Sequence, residues 1–381
     1  MKSICGVKGV TAAGIKEGKY GLALIRASGT GAAVFTRNRA RAPVIDLMAE
    51  RMKAGRIEGI IANSGCANAY TGRRGLADAI RMAEIGGECL GVDPMAVGVA
   101  STGVIGRYLD MDRIRQQAGT LTPVSSEEAE IAAAQAILTT DLVEKHALVM
   151  GEGFSVGGIT KGSGMIAPNM ATMLGFVYTD AEVDAPDLQD ILKRAVRRSF
   201  NRIVVDGDVS TNDCVFLTAT GEAGRVGKRE LEEAVTSACI TLAQQIARDG
   251  EGATKLIEVA VSGARSEEDA EKIAKTVVTS PLVKTAVYGN DPNWGRVVAA
   301  AGYAGVDFEI PDLSLWIGTG EEKSPLVLKG EIVADLQVAK MAMQGDTVVF
   351  SIDLDSGSSE ATAWGCDLTE KYVEINGKYT T

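Results

Sequence analysis

The sequence predicts an α/β or α+β sandwich in which helices cover sheets. Short apolar runs alternate with helix-period stretches along most of the chain. Glycine is abundant, at 44 residues, while aromatics make up only 5%, a balance that favours tight turns and close backbone approach. The 381 residues exceed one small core and call for at least two domains.

Taken in chain order, residues 21–27, 32–36 and 57–62 read as strands, the last apolar enough to be buried on both faces. Helices are expected over 75–90 and 125–138. The second opens with Ser125, and Glu128 follows at capping-box spacing. A helix over 184–198 takes Asp184 as N-cap and Pro186 in its first turn. A longer helix follows over 229–248. Strand 257–262 then leads into a helix over 266–278 capped by Ser266, with Asp269 at N3. The last third adds strands at 313–317, 347–353 and 372–376. Turn residues Gly289-Asn290-Asp291-Pro292 mark a soft boundary over 279–291, so the domains are set at 1–280 and 281–381.

Composition narrows the function. A net charge of −11 argues against a nucleic-acid or membrane partner. The N-terminal stretch lacks the apolar core of a signal peptide, and no apolar run approaches the ~18 residues of a membrane span. The expectation is a soluble, cytoplasmic protein. Six scattered cysteines without a CxxC pair read as buried reduced thiols, with Cys66 singled out by its glycine-rich turn. His146 is the single histidine, so a His-rich zinc site is excluded, Ser-His-Asp chemistry would have to run through that one residue, and the base of any covalent chemistry is expected to be a group other than imidazole. His146 itself is expected on the surface or in a loop.

One stretch stands apart, running from Gly157 through Lys161-Gly162-Ser163-Gly164-Met165-Ile166-Ala167-Pro168-Asn169-Met170-Ala171-Thr172 to Leu174. It is not a phosphate loop of the Walker type, because the lysine precedes the last glycines instead of following them. On residue type alone, Thr172 reads first as a threonine that starts a strand or helix. A second reading is chemical. A threonine whose own nitrogen is a free α-amine carries both nucleophile and base, since that amine has a pKa of ~8. This requires self-cleavage before Thr172, and the glycines and Pro168 upstream would hold the Ala171 peptide in an attackable shape.

This stretch resembles the cleavage-site signature of the glutamate N-acetyltransferase / ornithine acetyltransferase family of arginine biosynthesis. Further blocks resemble the same family: Ala62-Asn63-Ser64-Gly65-Cys66-Ala67-Asn68-Ala69, Ser101-Thr102-Gly103-Val104-Ile105-Gly106, Thr139-Thr140-Asp141, Ser199-Phe200-Asn201-Arg202 and Asp206-Gly207-Asp208. So do Asp249-Gly250-Glu251-Gly252-Ala253-Thr254, Gly289 through Arg296, and Ile375-Asn376-Gly377-Lys378-Tyr379-Thr380-Thr381. The blocks keep their order from about residue 9 to the end. Departures are few: Leu142 follows Asp141 where threonine is usual, and Gly377 and Lys378 stand where alanine and aspartate are expected.

The resemblance implies a layered αββα sandwich, shared with self-cleaving aminopeptidases, with a smaller C-terminal α+β domain. It implies cleavage between Ala171 and Thr172, giving chains 1–171 and 172–381 that stay together as α2β2. Thr172 matches the nucleophile, and Thr102 with Gly103 the oxyanion hole. Thr139, Lys161, Thr172, Glu251, Asn376 and Thr381 match substrate-contacting positions. A lysine for a carboxylate and a glutamate for an amino group suit an amino-acid ligand, although taken singly each reads as a solvated surface charge. The implied reaction is acetyl transfer from N2-acetyl-L-ornithine to L-glutamate without metal or organic cofactor. Some members of the family also use acetyl-CoA, and no residue here decides that. The rival reading is an N-terminal-nucleophile amidase or aminopeptidase that passes the acyl group to water.

Overall fold

The computed structural model describes residues 1–167, 173–320 and 323–378. Pro168, Ala171, Thr172 and Thr381 lie outside the described residues, and with them the expected cleavage junction. Among the described residues the chain is an α/β protein with two mixed sheets. It forms two compact units, Met1–Asn201 with Asp208–Ile246, and Arg202–Gly207 with Ala247–Thr380. The division expected between residues 280 and 281 falls inside the second of these.

In chain order the first unit holds β1 (Thr11–Glu17), β2 (Tyr20–Phe35), α1 (Pro43–Arg51), β3 (Arg56–Ser64), α2 (Gly72–Leu90) and β4 (Val97–Ser101). There follow α3 (Met111–Thr120), α4 (Glu127–Ala136), β5 (Lys145–Met150), β6 (Ser155–Lys161), β7 (Leu174–Glu182) and α5 (Ala185–Arg198). After the short β8 (Ile203–Val204), which joins the other unit, come β9 (Cys214–Arg225) and α6 (Lys228–Arg248). The sheet runs β4-β3-β2-β9-β7-β6-β5, with β1 beside β2. The β3–β4 and β7–β9 pairs are parallel.

The two strands expected over 21–27 and 32–36 are one continuous β2. Its register shifts between Arg26 and Gly29. The early half pairs with β1 and most of β3, and the later half with β9, so the polar Ser28-Gly29-Thr30 step changes partners without ending the strand. β3 is buried from Gly59 to Ser64, as its apolar run predicts. The alanine-rich α4 lies against β1 and β2 so closely that a Cβ on Gly14 would stand 2.2 Å from the Ala132 carbonyl oxygen. A Cβ on Gly21 would stand 2.0 Å from the Ala136 oxygen. Only glycine admits this approach, and it fixes where the chain leaves α4 toward Thr139.

The cap of α4 is Ser126, one residue later than expected. Its hydroxyl accepts from the Ala129 N–H at 3.1 Å, while Ser125 turns its hydroxyl to the Cys5 carbonyl. Fully buried Glu130 accepts from the N–H groups of Ser3 and Cys5 at 3.2 and 2.9 Å, tying the N-terminal segment to this helix. Asp184 holds the N-cap position of α5 in extended backbone but makes no cap hydrogen bond. Its carboxylate pairs with Arg225 instead. His146 lies on β5, half-buried, sharing a hydrogen bond with the Ser3 hydroxyl through Nδ1. The surface or loop placement is thus corrected, and burial pushes the imidazole below its ordinary pKa. Five cysteines are buried, whereas Cys89 is exposed, contrary to the expectation that all six are buried.

The second unit contains β10 (Leu256–Ala264), α7 (Glu267–Thr279), α8 (Pro281–Tyr288), α9 (Trp294–Gly302), β11 (Ser314–Ile317) and β12 (Ser324–Leu328). Then come β13 (Glu331–Ile332), α10 (Leu336–Ala342), β14 (Thr347–Asp353), β15 (Ser359–Cys366) and α11 (Glu370–Lys378). Its sheet runs β13-β12-β11-β14-β10-β15-β8, and α7 packs on β10 and β15. Ser266 caps α7 as expected: it accepts from the Asp269 N–H and donates its hydroxyl to the Asp269 carboxylate. The strand expected over 372–376 is instead the helix α11. Thr369 accepts from the Lys371 N–H at its start, and Glu374 pairs with Lys371 and Lys378 at helical spacing. Those local pairs outweigh the strand preference of Tyr372 and Val373. No helix among the described residues is long and apolar enough to cross a membrane.

Candidate active site

The first group of expected site residues lies where β3 and β4 end side by side. Asn63 stands opposite Ser101, and the Thr102 N–H donates to the Asn63 carbonyl at 3.0 Å. The next residue, Gly103, has φ +128°, and a Cβ there would stand 2.4 Å from the Gly65 carbonyl carbon and 2.6 Å from the Cys66 nitrogen. Both conditions restrict the position to glycine. Asn212, reaching in from before β9, donates to the carbonyls of Ala67 and Ser101 and fastens the two turns together. Asn63 Oδ1 and Ser101 Oγ are buried without a hydrogen-bond partner among the described residues. Beside them is a small cavity of about 70 Å³ lined in part by Asn63, Ser64, Cys66 and Arg107. The Cys66 thiol faces the Arg107 carbonyl, and burial raises its pKa, so it is not an activated thiolate.

The second group centres on Asp141, whose side chain is fully buried. Its Oδ1 accepts from the Gly162 N–H at 2.6 Å and from Lys145 Nζ at 2.8 Å. Its Oδ2 accepts from the Thr139 N–H at 3.0 Å and lies 3.7 Å from Lys161 Nζ. Burial opposes ionisation, but the Lys161 and Lys145 ammoniums outweigh it and hold the carboxyl well below the usual carboxylate range. One buried anion thus joins Thr139 and Lys161, two positions far apart in sequence. Lys16 extends the group, with Nζ 2.8 Å from the Ser64 hydroxyl and a second bond to the Leu138 carbonyl. Burial of its ammonium end pushes its pKa down to about 8, although the residue keeps an exposed flank. The Ser64 hydroxyl in turn donates to the Ala136 carbonyl, so the glycine turn after β3 and the segment after α4 share a hydrogen-bonded seam. Downstream of Lys161, Met165 is left-handed at φ +57°, an unfavourable conformation for a residue with a side chain.

In the second unit, Glu251 and Asn376 meet. The Asn376 amide donates to Glu251 Oε2 at 2.7 Å. The loop carrying Glu251 is clamped by Asp367, which accepts from the N–H groups of Thr254 and Lys255 at 2.8 and 3.0 Å and from the Thr254 hydroxyl. The Thr369 hydroxyl donates to the Gly252 carbonyl at 2.7 Å, adding a second tie.

Of the expected site residues, Thr102 with Gly103 and Thr139 with Lys161 fall in the first unit, and Glu251 with Asn376 in the second. Thr172, Ala171 and Thr381 lie outside the described residues. Lys16, Lys145, Asn212 and Asp367 were not singled out from sequence. None belongs to a local pattern that signals binding, and each acquires its partners through folding.

A family model described as the ArgJ family matches residues 7–381. The protein from Methanosarcina mazei named glutamate N-acetyltransferase is 50% identical over 388 aligned residues, covering 99% of this chain and 98% of that one. The Archaeoglobus fulgidus protein named arginine biosynthesis bifunctional protein ArgJ is 46% identical, covering 99% of this chain and all of that one. A crystal structure of the Bacillus halodurans arginine biosynthesis bifunctional protein argJ is similar at 42% identity and a TM-score of 0.50, covering 52% of this chain and 96% of that one.

Proposed function

The chain belongs to the ArgJ family, an acyltransferase family of arginine biosynthesis, and on that premise we propose that it transfers acetyl from N2-acetyl-L-ornithine to L-glutamate. The observation that carries this is end-to-end identity of one residue in two to a protein named glutamate N-acetyltransferase. The proposed catalyst is Thr172, freed by self-cleavage: its hydroxyl attacks the Ala171 carbonyl, the peptide nitrogen leaves as an α-amine, and water hydrolyses the ester. That amine then takes the hydroxyl proton as Thr172 attacks the acetyl carbon of the donor. The Thr102 hydroxyl and the Gly103 N–H receive the developing oxyanion. Ornithine leaves with the transferred proton, and the α-amine of glutamate attacks the acetyl-threonine ester.

Several local features support these roles. Gly103 is held where only a bare backbone fits, the condition for an N–H to come close to a ligand. Lys161 is a nearly buried cation on a buried carboxylate, suited to a substrate carboxylate. Glu251, oriented by Asn376, is suited to an amino group. The left-handed Met165 places backbone strain shortly before the proposed junction. We further propose that the two cleavage products remain associated as α2β2 in the cytoplasm, with Thr139 and Thr381 contacting substrate.

The test is intact mass and N-terminal sequencing of wild type beside Thr172→Ala, followed by turnover. Two fragments, the larger beginning Thr-Met-Leu-Gly, are expected in wild type and absent from the variant. Glutamate-dependent ornithine release supports the transferase, whereas acetate release independent of glutamate identifies the amidase. Acetyl-CoA is offered as alternative donor in the same assay. A single uncut chain with full activity overturns the free-amine mechanism.

A further inference from the structure

Four polar residues in a row, Ser210-Thr211-Asn212-Asp213, precede β9, and the last three are more than nine-tenths buried. A buried polar segment is stable only where its hydrogen bonds are met. Here the segment 36–42 meets them along one side. The Val209 and Thr211 carbonyls accept from the Asn38 side chain at 2.8 Å and the Ala42 N–H at 2.9 Å. Those of Ser210 and Asp213 accept from the Thr36 hydroxyl and N–H, both at 2.9 Å. Residues 209–214 thus form a pinned strap.

The strap meets the rest of the proposed site at three places. Val209 forms an antiparallel bridge with Ile166, and the Cys214 N–H donates to the Met173 carbonyl at 3.0 Å. Ile166 and Met173 stand in sequence on either side of the expected junction. Between these two ties, the Asn212 amide donates to the Ala67 carbonyl at 2.5 Å and to the Ser101 carbonyl at 2.9 Å. Its oxygen accepts from the Thr211 hydroxyl at 2.7 Å, which sets the orientation of the amide. Ser101 directly precedes Thr102, and Ala67 follows Cys66, whose backbone bridges that of Thr102. With both amide protons and the oxygen engaged inside the protein, Asn212 is not placed to touch a substrate. What it can do is fix a distance. An oxyanion donor contributes only where it already points at the oxygen that gains charge, and a displacement of about 1 Å can cost roughly a hundredfold.

We propose that Asn212 is a positioning residue for acetyl transfer. It holds the Thr102–Gly103 turn in register with Ile166 and Met173, so that the hydroxyl and N–H meet the oxyanion formed when Thr172 attacks. This rests on the assignment of the chain as a threonine-nucleophile acetyltransferase. Because the amide acts through the turn, its loss lowers turnover and leaves substrate affinity nearly intact.

The experiment uses the full-length, self-processed enzyme as wild type, Asn212→Asp, Asn212→Ser, Thr102→Ala, the double variant Asn212→Ser with Thr102→Ala, and Gln189→Ala. Gln189 is the matched control. Its amide also makes two backbone bonds within the first unit, to the Ala33 N–H and carbonyl at 3.2 and 3.0 Å, a strand residue with no proposed role. Intact mass gives the cleaved fraction, and rates are counted per cleaved molecule. Asn212→Asp sets a carboxylate against two carbonyl oxygens, whereas Asn212→Ser retains one hydroxyl donor. kcat is expected to fall about a hundredfold in the first and about tenfold in the second, with KM for acetylornithine and glutamate within about threefold of wild type. Gln189→Ala should also melt lower, yet keep kcat within about twofold. In the Thr102→Ala background, Asn212→Ser should cost at least about threefold less than it does in wild type, because both act on one oxyanion turn. Effects that simply multiply would overturn the proposal, as would a rise in KM with kcat unchanged. So would a folded Asn212→Ser that fails to cleave, which would assign the amide to the junction alone. Loss of the fold in both single Asn212 variants would make it a core tie and overturn the proposal as well. A wild type without acetyl transfer would overturn the functional assignment and this inference together, whereas an active wild type indifferent to Asn212 overturns this inference alone.

Discussion

Two buried aspartates, Asp141 in the first unit and Asp367 in the second, each fasten a loop that carries a proposed ligand group, and they do so with different partners. Asp141 accepts two backbone N–H groups and faces two ammoniums, one of which is the proposed ligand group Lys161. Asp367 accepts backbone N–H groups and a hydroxyl from the loop three and four residues beyond Glu251, and among the described residues it bonds to no proposed ligand group. The first arrangement couples loop shape to ligand charge. The second sets loop shape alone, leaving the charge of Glu251 to be oriented by Asn376. An electrostatic change should therefore disable the first loop and only loosen the second.

The largest effect is expected at Asp141. Asp141→Asn keeps the shape but removes the anion that lies 2.8 Å from Lys145, a fully buried ammonium. Removal of one member of a buried pair costs about 3–5 kcal/mol. The variant should melt several degrees lower and lose acetyl transfer. Adding Lys145→Met removes the buried ammonium as well and should recover much of the stability without recovering activity, since the carboxylate beside Lys161 is still missing. Recovery of both would mean that Asp141 serves stability only, and the contrast with Asp367 would fail.

Acidification tests the same carboxylate from the other side. Burial opposes its ionisation, yet Lys161 and Lys145 depress its folded pKa, so folding favours the charged form. The stability it supplies is fully present above the unfolded aspartate value of ~4 and is lost as pH falls through the lower, folded value. Denaturant titrations should show wild type losing stability steeply between about pH 4 and pH 2, and Asp141→Asn with a shallower slope over the same range. Parallel slopes would mean that Asp141 is not held ionised.

Sequence made one half of this comparison more legible than the other. Ser266, spaced three residues before Asp269, identifies its own cap because both partners lie in one turn. Adjacent serines blurred the cap of α4, and only the turn of Ser125 toward Cys5 separates them. The Tyr372–Val373 pair suggested a strand because aromatic and β-branched residues favour one, while the charges that make it a helix lie three residues before and four residues after Glu374. Thr139, Lys161, Glu251 and Asn376 were found through motif resemblance. Lys16, 125 residues before Asp141, was not, because no spacing rule links them; the close seating of α4 on Gly14 and Gly21 brings them together.

An intermediate effect is expected at Asp367. Asp367→Asn, with the residue nearly fully buried, replaces a charged acceptor by a neutral one facing two N–H groups and a hydroxyl. About 1–3 kcal/mol of stability should be lost. KM for the amino-acid substrates should rise several-fold with kcat changed less, since Glu251 is displaced and not removed. A kcat collapse comparable to that of Asp141→Asn would break the distinction between setting loop shape and setting ligand charge.

The smallest effect on the fold, and the one that sharpens the comparison most, is expected at Asn376. Its side chain is exposed on α11, and among the described residues it donates to Glu251 and to the Tyr372 carbonyl one turn back. Water can replace both bonds, so Asn376→Ala should change stability by no more than about 0.5 kcal/mol. Glu251, however, would lose the donor that orients its carboxylate among the described residues, and KM should rise about threefold to tenfold, the worth of one hydrogen bond near a ligand. Asn376→Asp gives the sign. A second carboxylate facing Glu251 repels it while adding negative charge, so an ammonium-bearing donor should be held as well or better if charge alone matters, and worse if orientation matters. The arrangement favours the second outcome, because the amide of Asn376 fixes one oxygen of Glu251 while Asp367 and Thr369 fix the backbone that carries it.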